Sequence, residues 1–474
     1  MKVLEFLEFF IDDILWTWIL IGLLIGLGLW FTISTGFVQF RYFGEMFKVV
    51  FEKSTISSKG KQGVSSFQAF CISTASRVGT GNLAGVALAV SLGGPGAVFW
   101  MWLIALLGAA TAFIESTLAQ VYKVKDGENF RGGPAYYMEK ALKARWLGVS
   151  FAILITLAFG FIFNMVQANT ISGAFENAYD INPLWTGIVL ALLAGLVFFG
   201  GVQRVAKVTQ IIVPVMAVIY LVFALGISIV NITELPAVIS LILANAFGLE
   251  EVVGGGMGAA LMQGIRRGLF SNEAGMGSVP NAAATANVKH PAKQGLVQSL
   301  GVFVDTLIIC TATAFVILLT DVYTGGAEEG IAITQMALSE HIGDWAISFL
   351  ALAILLFAFS SIVGNYYYGE TNMEFVRKNR LMINFYRVAV MAMVLIGATA
   401  ELSTVWMMAD LFMGLMAVMN LLVIAILGKL AVAVLRDYGK QRKARKEPVF
   451  YADQIEGLTG TECWEREERK EKAN

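Results

Sequence analysis

Apolar residues run in long blocks along this chain, separated by short polar stretches rich in lysine and arginine. A helix needs roughly 20 apolar residues to cross a hydrocarbon core of about 30 Å. Segments near 14–38, 66–92, 97–121, 147–174, 184–200, 208–230, 252–287, 295–320, 345–368, 383–402 and 411–434 fit that template. No block shows the ten-residue alternation of a β-barrel. The pattern predicts an all-α polytopic membrane protein with about 11 transmembrane helices. The composition agrees: 57% of the 474 residues are hydrophobic and 15% charged, with a mean hydropathy of +0.70. "MKVLEFLEFFIDDILWTW" has an acidic flank and a long apolar span, unlike a cleaved leader, and reads as an uncleaved first helix.

Threading the chain through these crossings puts Arg41, Lys48, Lys53, Lys59 and Lys61 on one side. Lys123 to Arg145, Arg204 and Lys207, Lys289 and Lys293, Arg377 to Arg380 and the run "RDYGKQRKARK" fall on that same side. Only Lys2 falls opposite. The positive-inside rule then predicts an inner (plasma) membrane protein with its N-terminus outside and its C-terminus cytoplasmic. Counting the apolar stretch 236–251 as a crossing would invert every later charge, so it is expected to be an external or re-entrant helix. The division expected is 1–65, an extra helix with a cytoplasmic amphipathic segment; 66–435, the core; and 436–474, a flexible polar tail.

Without the first helix, ten crossings remain. Five per half forces the halves (66–230 and 231–435) into opposite orientations, the 5+5 inverted-repeat plan of many secondary transporters. That plan predicts helix-breaking residues in the first helix of each half. They are present, as "STASRVGTGNLAGVALAV" at 73–90 and "GGGMGAALMQGIRRGLFSNEAGMGS" at 254–278. Unwound backbone at that depth is tolerated only inside protein or along a wet cavity. Free amides at the start of a half-helix can hold a carboxylate, and free carbonyls at a half-helix end can hold an ammonium group or a cation. The other reading of Gly81 with Gly85, and of Gly254 with Gly258, is a small-residue packing face.

"GGPGAVFWMWLIALLG" at 93–108, "VGTGNLAGVA", "RRGLFSNEAGMGSVPNAAATA" and "SSIVGNYYYGE" resemble the alanine/glycine:cation symporter family over essentially residues 14–436. That resemblance implies a LeuT-like fold and sodium-coupled uptake of small neutral amino acids. It implies that amides around Thr80 and Gly81, within Gly79 to Asn82, receive the substrate carboxylate. Gln167, Phe270, Ser271 and Ser361 would line the pocket, and sodium would meet the carbonyls of Ala75 and Val78 and the hydroxyls of Ser360 and Ser361. The other reading of the two serines is back-bonding to the preceding helical turn. Some family members carry a tryptophan where this chain has Asn365, so a roomier, more polar pocket is expected, open to serine or glutamine besides alanine and glycine.

Charges within spans are costly unless paired. Arg77, Glu115, Arg266, Arg267, Glu273, Asp305, Glu370 and Arg387 are therefore candidates for mutual ion pairs, gates or coupling, with Arg77 beside the first break foremost for gating. The two histidines, His290 and His341, are expected in loops, which disfavours a histidine proton relay. Proton coupling through Glu115 or Asp305 is the alternative to sodium. Cys71, Cys310 and Cys463 lack metal-ligand spacing. No P-loop, HExxH or G-x-S-x-G occurs, so neither an ATP-driven pump nor an enzyme is expected. A channel is the remaining rival. No cofactor, nucleic acid or obligatory protein partner is expected.

Overall fold

The computed structural model describes residues 2–52, 63–127, 129–248, 256–324 and 329–466, excluding the side chains of residues 2–4 and 201–206. The expected positions Lys53, Lys59, Lys61, Gly254 and most of "EREERKEKAN" lie outside the described residues, as does the side chain of Arg204.

The architecture is helical throughout, apart from a hairpin of β1 (Val124–Asp126) and β2 (Asn129–Arg131). Among the described residues eight helices are long and apolar enough to cross a membrane. They are α1 (Glu5–Ser34), α4 (Ala97–Val121), α5 (Arg145–Tyr179), α7 (Lys207–Val230), α11 (Ala292–Leu318), α13 (Trp345–Val376), α14 (Arg380–Thr399) and α15 (Leu402–Lys443). The three other expected crossings fall on shorter pieces. One is an interrupted segment of α2 (Ser66–Arg77) and α3 (Gly81–Gly93). Another is α6 (Pro183–Phe198), and the third is an interrupted segment of α9 (Met257–Asn272) and α10 (Pro280–Thr285). Leu192, Leu196, Ile211, Val222 and Phe385 are exposed apolar side chains on the outer helices, the surface of a multi-pass membrane protein.

Small residues bring the inner helices together. The position of a Cβ on Gly264 would lie 2.6 Å from the Trp100 Cβ, and one on Gly268 would lie 2.7 Å from the Ile104 Cγ2. So α9 seats Gly264 and Gly268, one turn apart, directly on α4. By contrast Gly258 faces open space, so the packing stripe on this segment lies further along than a Gly254/Gly258 pair.

The polar contacts sort into two faces. On the face of the N-terminus, Arg266 meets Asp12 and Asp410, and the Gly96 amide donates to Asn245 at 2.8 Å. Asn245 belongs to the helix Leu235–Ala246, the apolar stretch expected outside the crossing count. Its 12 residues reach only about 18 Å, too short to cross. On the other face Lys378 pairs with Asp126, Lys140 with Glu462, Lys289 with Glu447, Lys293 with Glu52 and Arg442 with Glu45. The basic loops thus gather on one side, as the charge pattern predicts.

Two expectations are corrected, and one holds. A helix, Ile331–Ile342, occupies the stretch read as loop, and His341 lies in its last turn. His290 does sit in a turn, but it is buried between Asp437, at 3.2 Å, and the Ala292 amide. The tail is not a free extension up to residue 466. Helix α15 continues to Lys443, after which the chain folds back, with the Phe450 amide on the Lys289 carbonyl and the Trp464 Nε1 on the Gln120 carbonyl. Phe450 and Trp464 are buried because they cover the ends of α4 and the loop after α10.

Candidate substrate and ion site

Helix α2 begins in a capping box, with Ser65 and Gln68 satisfying each other's backbone amides. It ends at Arg77 because Val78 turns to an extended conformation (φ −80°, ψ 93°). Helical geometry resumes at Thr80 (φ −54°, ψ −36°). The break predicted inside "SRVGTGNLAG" is therefore real and two residues long, Val78 and Gly79.

Side chains occupy its free amides. The Gly79 amide donates to the Asn82 Oδ1 at 2.9 Å and the Thr80 amide to the Gln167 Oε1 at 3.0 Å. A carboxylate would compete for these two donors. At the other lip the Ser361 Oγ lies 2.8 Å from the Ala75 carbonyl, 3.5 Å from that of Val78 and 3.2 Å from that of Phe357. One hydroxyl proton cannot serve three carbonyls, so oxygen lone pairs remain over, which suits a hard cation. Ser360 does not join them. Its hydroxyl back-bonds to the Phe357 carbonyl at 2.8 Å and faces Met216, the bland alternative for this serine.

Gly79 and Gly81 are demanded by close approach. A Cβ on Gly79 would collide with the Ser361 hydroxyl, and one on Gly81 would stand 3.0 Å from the Phe270 ring and 3.1 Å from the Ser271 Cα. Gly81 is therefore one of the points where the two interrupted segments touch, Gly93 against Gln263 being another, and it joins the site reading and the packing reading.

The second break is built differently. Helix α9 ends at Asn272, and Glu273, Gly275 and Gly277 all have positive φ. Its amides are already claimed. Glu115, from α4, accepts from the Gly275 and Gly277 amides at 3.0 and 3.1 Å and from the Asn420 Nδ2 at 2.8 Å. A buried carboxylate with three donors is a staple for the unwound chain, and this segment presents Phe270 and Ser271 to the site rather than amides.

Asp305 ties the two segments together. Its Oδ1 accepts from the Asn82 Nδ2 at 2.7 Å, and its Oδ2 accepts from Ser271 and Thr306, each at 2.8 Å. Glu273 accepts from Ser76 at 2.7 Å and from Ser278 at 2.6 Å. Asn365 lies one turn along α13 from Ser361 and contacts Ser76 at 2.6 Å, so it adjoins the Gly79 to Ser271 cluster rather than lying within it. Its Nδ2 is buried without a hydrogen-bond partner.

Arg77 makes no ion pair among the described residues. Its Nη1 donates to the Gln298 carbonyl at 3.2 Å, and its charge lies within electrostatic reach of Glu115, Glu273 and Asp305. Of the eight intramembrane charges, only Arg387 and Glu370 pair with each other, at 2.8 Å. Arg266 and Arg267 turn to Asp12 and Asp410, which the sequence reading did not single out because acids near span ends look solvated. Two further contributors were missed: Asn420, polar at midspan, and Trp406, whose ring lies tilted against Phe270 at 4.7 Å between centres.

Residues 1–452 match the family model described as the sodium:alanine symporter family. The chain belongs to that family. It is 60% identical to the amino-acid carrier protein AlsT of Bacillus subtilis over 97% of each chain. It is 54% identical to the probable sodium/glutamine symporter GlnT of the same organism, over 98% of this chain and 96% of that one. The sodium/proton-dependent alanine carrier protein of Bacillus sp. strain PS3 is 40% identical, over 88% and 99%. A manganese transporter of Eremococcus coleocola superposes with a TM-score of 0.51 at 12% identity, over 80% of this chain and 81% of that one, a likeness of fold alone. This symporter-family chain is a LeuT-like membrane transporter and not an enzyme.

Proposed function

We propose that this chain couples inward sodium movement to uptake of small neutral amino acids, alanine and glycine foremost, by alternating access. The observation that carries the reading is the junction of Asn82, Ser271 and Asp305, which places the amides of Gly79 and Thr80 beside the Ala75 and Val78 carbonyls. The substrate carboxylate displaces the amide oxygens of Gln167 and Asn82 from those two N–H groups, with Phe270, Ser271 and Ser361 around it. Sodium takes the Ala75 and Val78 carbonyls and the Ser361 hydroxyl. Ser360 joins only after leaving the Phe357 carbonyl. Asn365, with its unpartnered amide nitrogen, extends the range to serine and glutamine, in keeping with a relative named as a probable glutamine symporter. The clustering of basic loops supports a plasma-membrane orientation with the N-terminus outside and the C-terminus cytoplasmic.

Uptake of labelled alanine and glutamine into proteoliposomes tests this, with an inward sodium gradient, a proton gradient or neither. Saturable accumulation driven by sodium supports the reading. Accumulation with the proton gradient alone points to proton coupling, as a relative's sodium/proton-dependent name suggests. A large passive current without accumulation means a channel.

A further inference from the structure

Helix α1 packs on the core through Ile11, Leu15, Trp16 and Leu20, and from the edge of that contact Asp12, itself exposed, reaches the buried Arg266. The Arg266 Nη2 donates to the Asp12 Oδ1 at 2.6 Å, and the Arg266 guanidinium lies over the Trp16 ring at 5.0 Å. The Trp16 Nε1 donates to the Asp410 carbonyl at 3.2 Å. Leu15 and Leu20 fit against Gly414, where no side chain stands between α1 and α15.

These contacts adjoin the cover of the substrate site. The Arg267 Nη2 binds the Asp410 Oδ2 at 2.5 Å and the Arg267 guanidinium lies 4.6 Å from the Trp406 ring. Trp406 packs on Phe270, and Phe270 on Phe163 with ring centres 4.8 Å apart. Above this stack, on the face of the N-terminus, opens a cavity of about 480 Å³ lined by Glu8, Asp12, Arg266, Arg267, Trp406 and Asp410. Below it the Gly79 to Ser271 cluster is buried. Trp406 lines the cavity and Phe270 touches Gly81, so this pair of rings lies between the two.

Charge explains why α1 is needed. Two adjacent guanidiniums, both buried, face one core carboxylate, Asp410. Asp12 supplies the second carboxylate in direct contact, while Glu8, Glu329 and Glu401 stand further round the cavity. Without Asp12, Arg266 keeps only the longer contact to Asp410, at 3.3 Å, which Asp410 shares with Arg267, whereas an open lid lets Arg266 hydrate in the cavity.

We propose that Asp12 and Trp16 make helix α1 a working part of this gate, holding Arg266, and through it the Arg267, Asp410 and Trp406 lid, closed over the site. The proposal rests on the alternating-access reading above for its role in transport, and on the contacts alone for the lid itself. Asp12 is a positioning residue that acts through Arg266.

The test uses the full-length protein, comparing wild type with Asp12→Asn, Asp12→Glu and Trp16→Phe. Removing the charge shifts the lid toward open, so amide hydrogen exchange over residues 263–272 rises by about three- to tenfold. In the same variant alanine binds more tightly at equilibrium while turnover falls, and Asp12→Glu restores both. Trp16→Phe shifts exchange in the same direction by a smaller factor and guards against misfolding of the first variant. Exchange unchanged within about twofold in both variants overturns the proposal, as does a loss of binding and turnover together that Glu does not restore. Because exchange needs no substrate, it decides the lid even where wild-type protein fails to carry alanine, a result that would count against the transport reading instead.

Discussion

Asp305 and Asn82 meet at 2.7 Å in the middle of the molecule, the carboxylate accepting from the same asparagine whose Oδ1 caps the Gly79 amide. One side chain therefore senses both the break and the acid behind it. Asp305→Asn keeps the shape but removes the charge and leaves one acceptor oxygen for the three donors Asn82, Ser271 and Thr306. The expected result is a weakening of apparent sodium affinity by about tenfold or more, about 1.4 kcal/mol, read from uptake at graded sodium concentrations. Unchanged sodium dependence would show that the acid serves only to join the helices.

Gly81 leaves no room for a side chain between the two interrupted segments. With a Cβ already at 3.0 Å from Phe270, Gly81→Ala should reduce uptake and Gly81→Leu should abolish it. Overpacking of this kind typically costs about 1–3 kcal/mol. Labelled-alanine uptake, with folded protein verified by size-exclusion chromatography, is the measurement.

Glu115 is expected to act on the fold of the second break. Glu115→Gln keeps one acceptor oxygen and turns its NH2 either toward the Gly275 amide or toward the Gly277 amide and Asn420, leaving buried donors opposed on one side at about 1–3 kcal/mol. The thermal midpoint should fall at every sodium concentration. A variant of wild-type stability that has lost only its coupling would instead make Glu115 a coupling group.

The tail carries a pH dependence. Lys123, just past the end of α4, donates to the Ala286 carbonyl at 3.0 Å and lies over the rings of Phe130 and Trp464. Burial pushes it down to about 7, with Cys463 opposing. A docked tail thus favours the neutral amine, while an undocked one lets Lys123 return to its ordinary value near 10.5. Docking releases a proton, so it strengthens as pH rises from about 7 to about 10 and levels off below about 7. Limited proteolysis between residues 445 and 466 should slow across that rise, and Lys123→Met should remove the dependence.

Much of this was legible from residue order. Gly79, Gly81 and Asn82 are conspicuous in an apolar run because helix-breaking residues there need a reason, and the odd number of crossings per half said where to look. Ser361 and Gln167 were implied by the family resemblance rather than by residue order, and both do reach the break. The fate of individual charges was less accessible. Asp12 and Asp410 stand near span ends, where one chain cannot distinguish a hydrated acid from a buried partner. Ser360 and Ser361 differ by about 100° of helical rotation, enough to send one hydroxyl to the carbonyls of α2 and the other to Met216. The docked tail was hidden because its polar composition suits solvent, and two aromatic residues, Phe450 and Trp464, decide otherwise.

Helix α15 is one uninterrupted element of 42 residues, about 63 Å from end to end. Its first turns hold Arg267 through Asp410, and its far end feeds the strand of chain that clasps Gln120 and Lys289. A single stiff rod therefore bears on both mouths of the transporter. Any tilt of this rod moves its Asp410 turn and its tail end together.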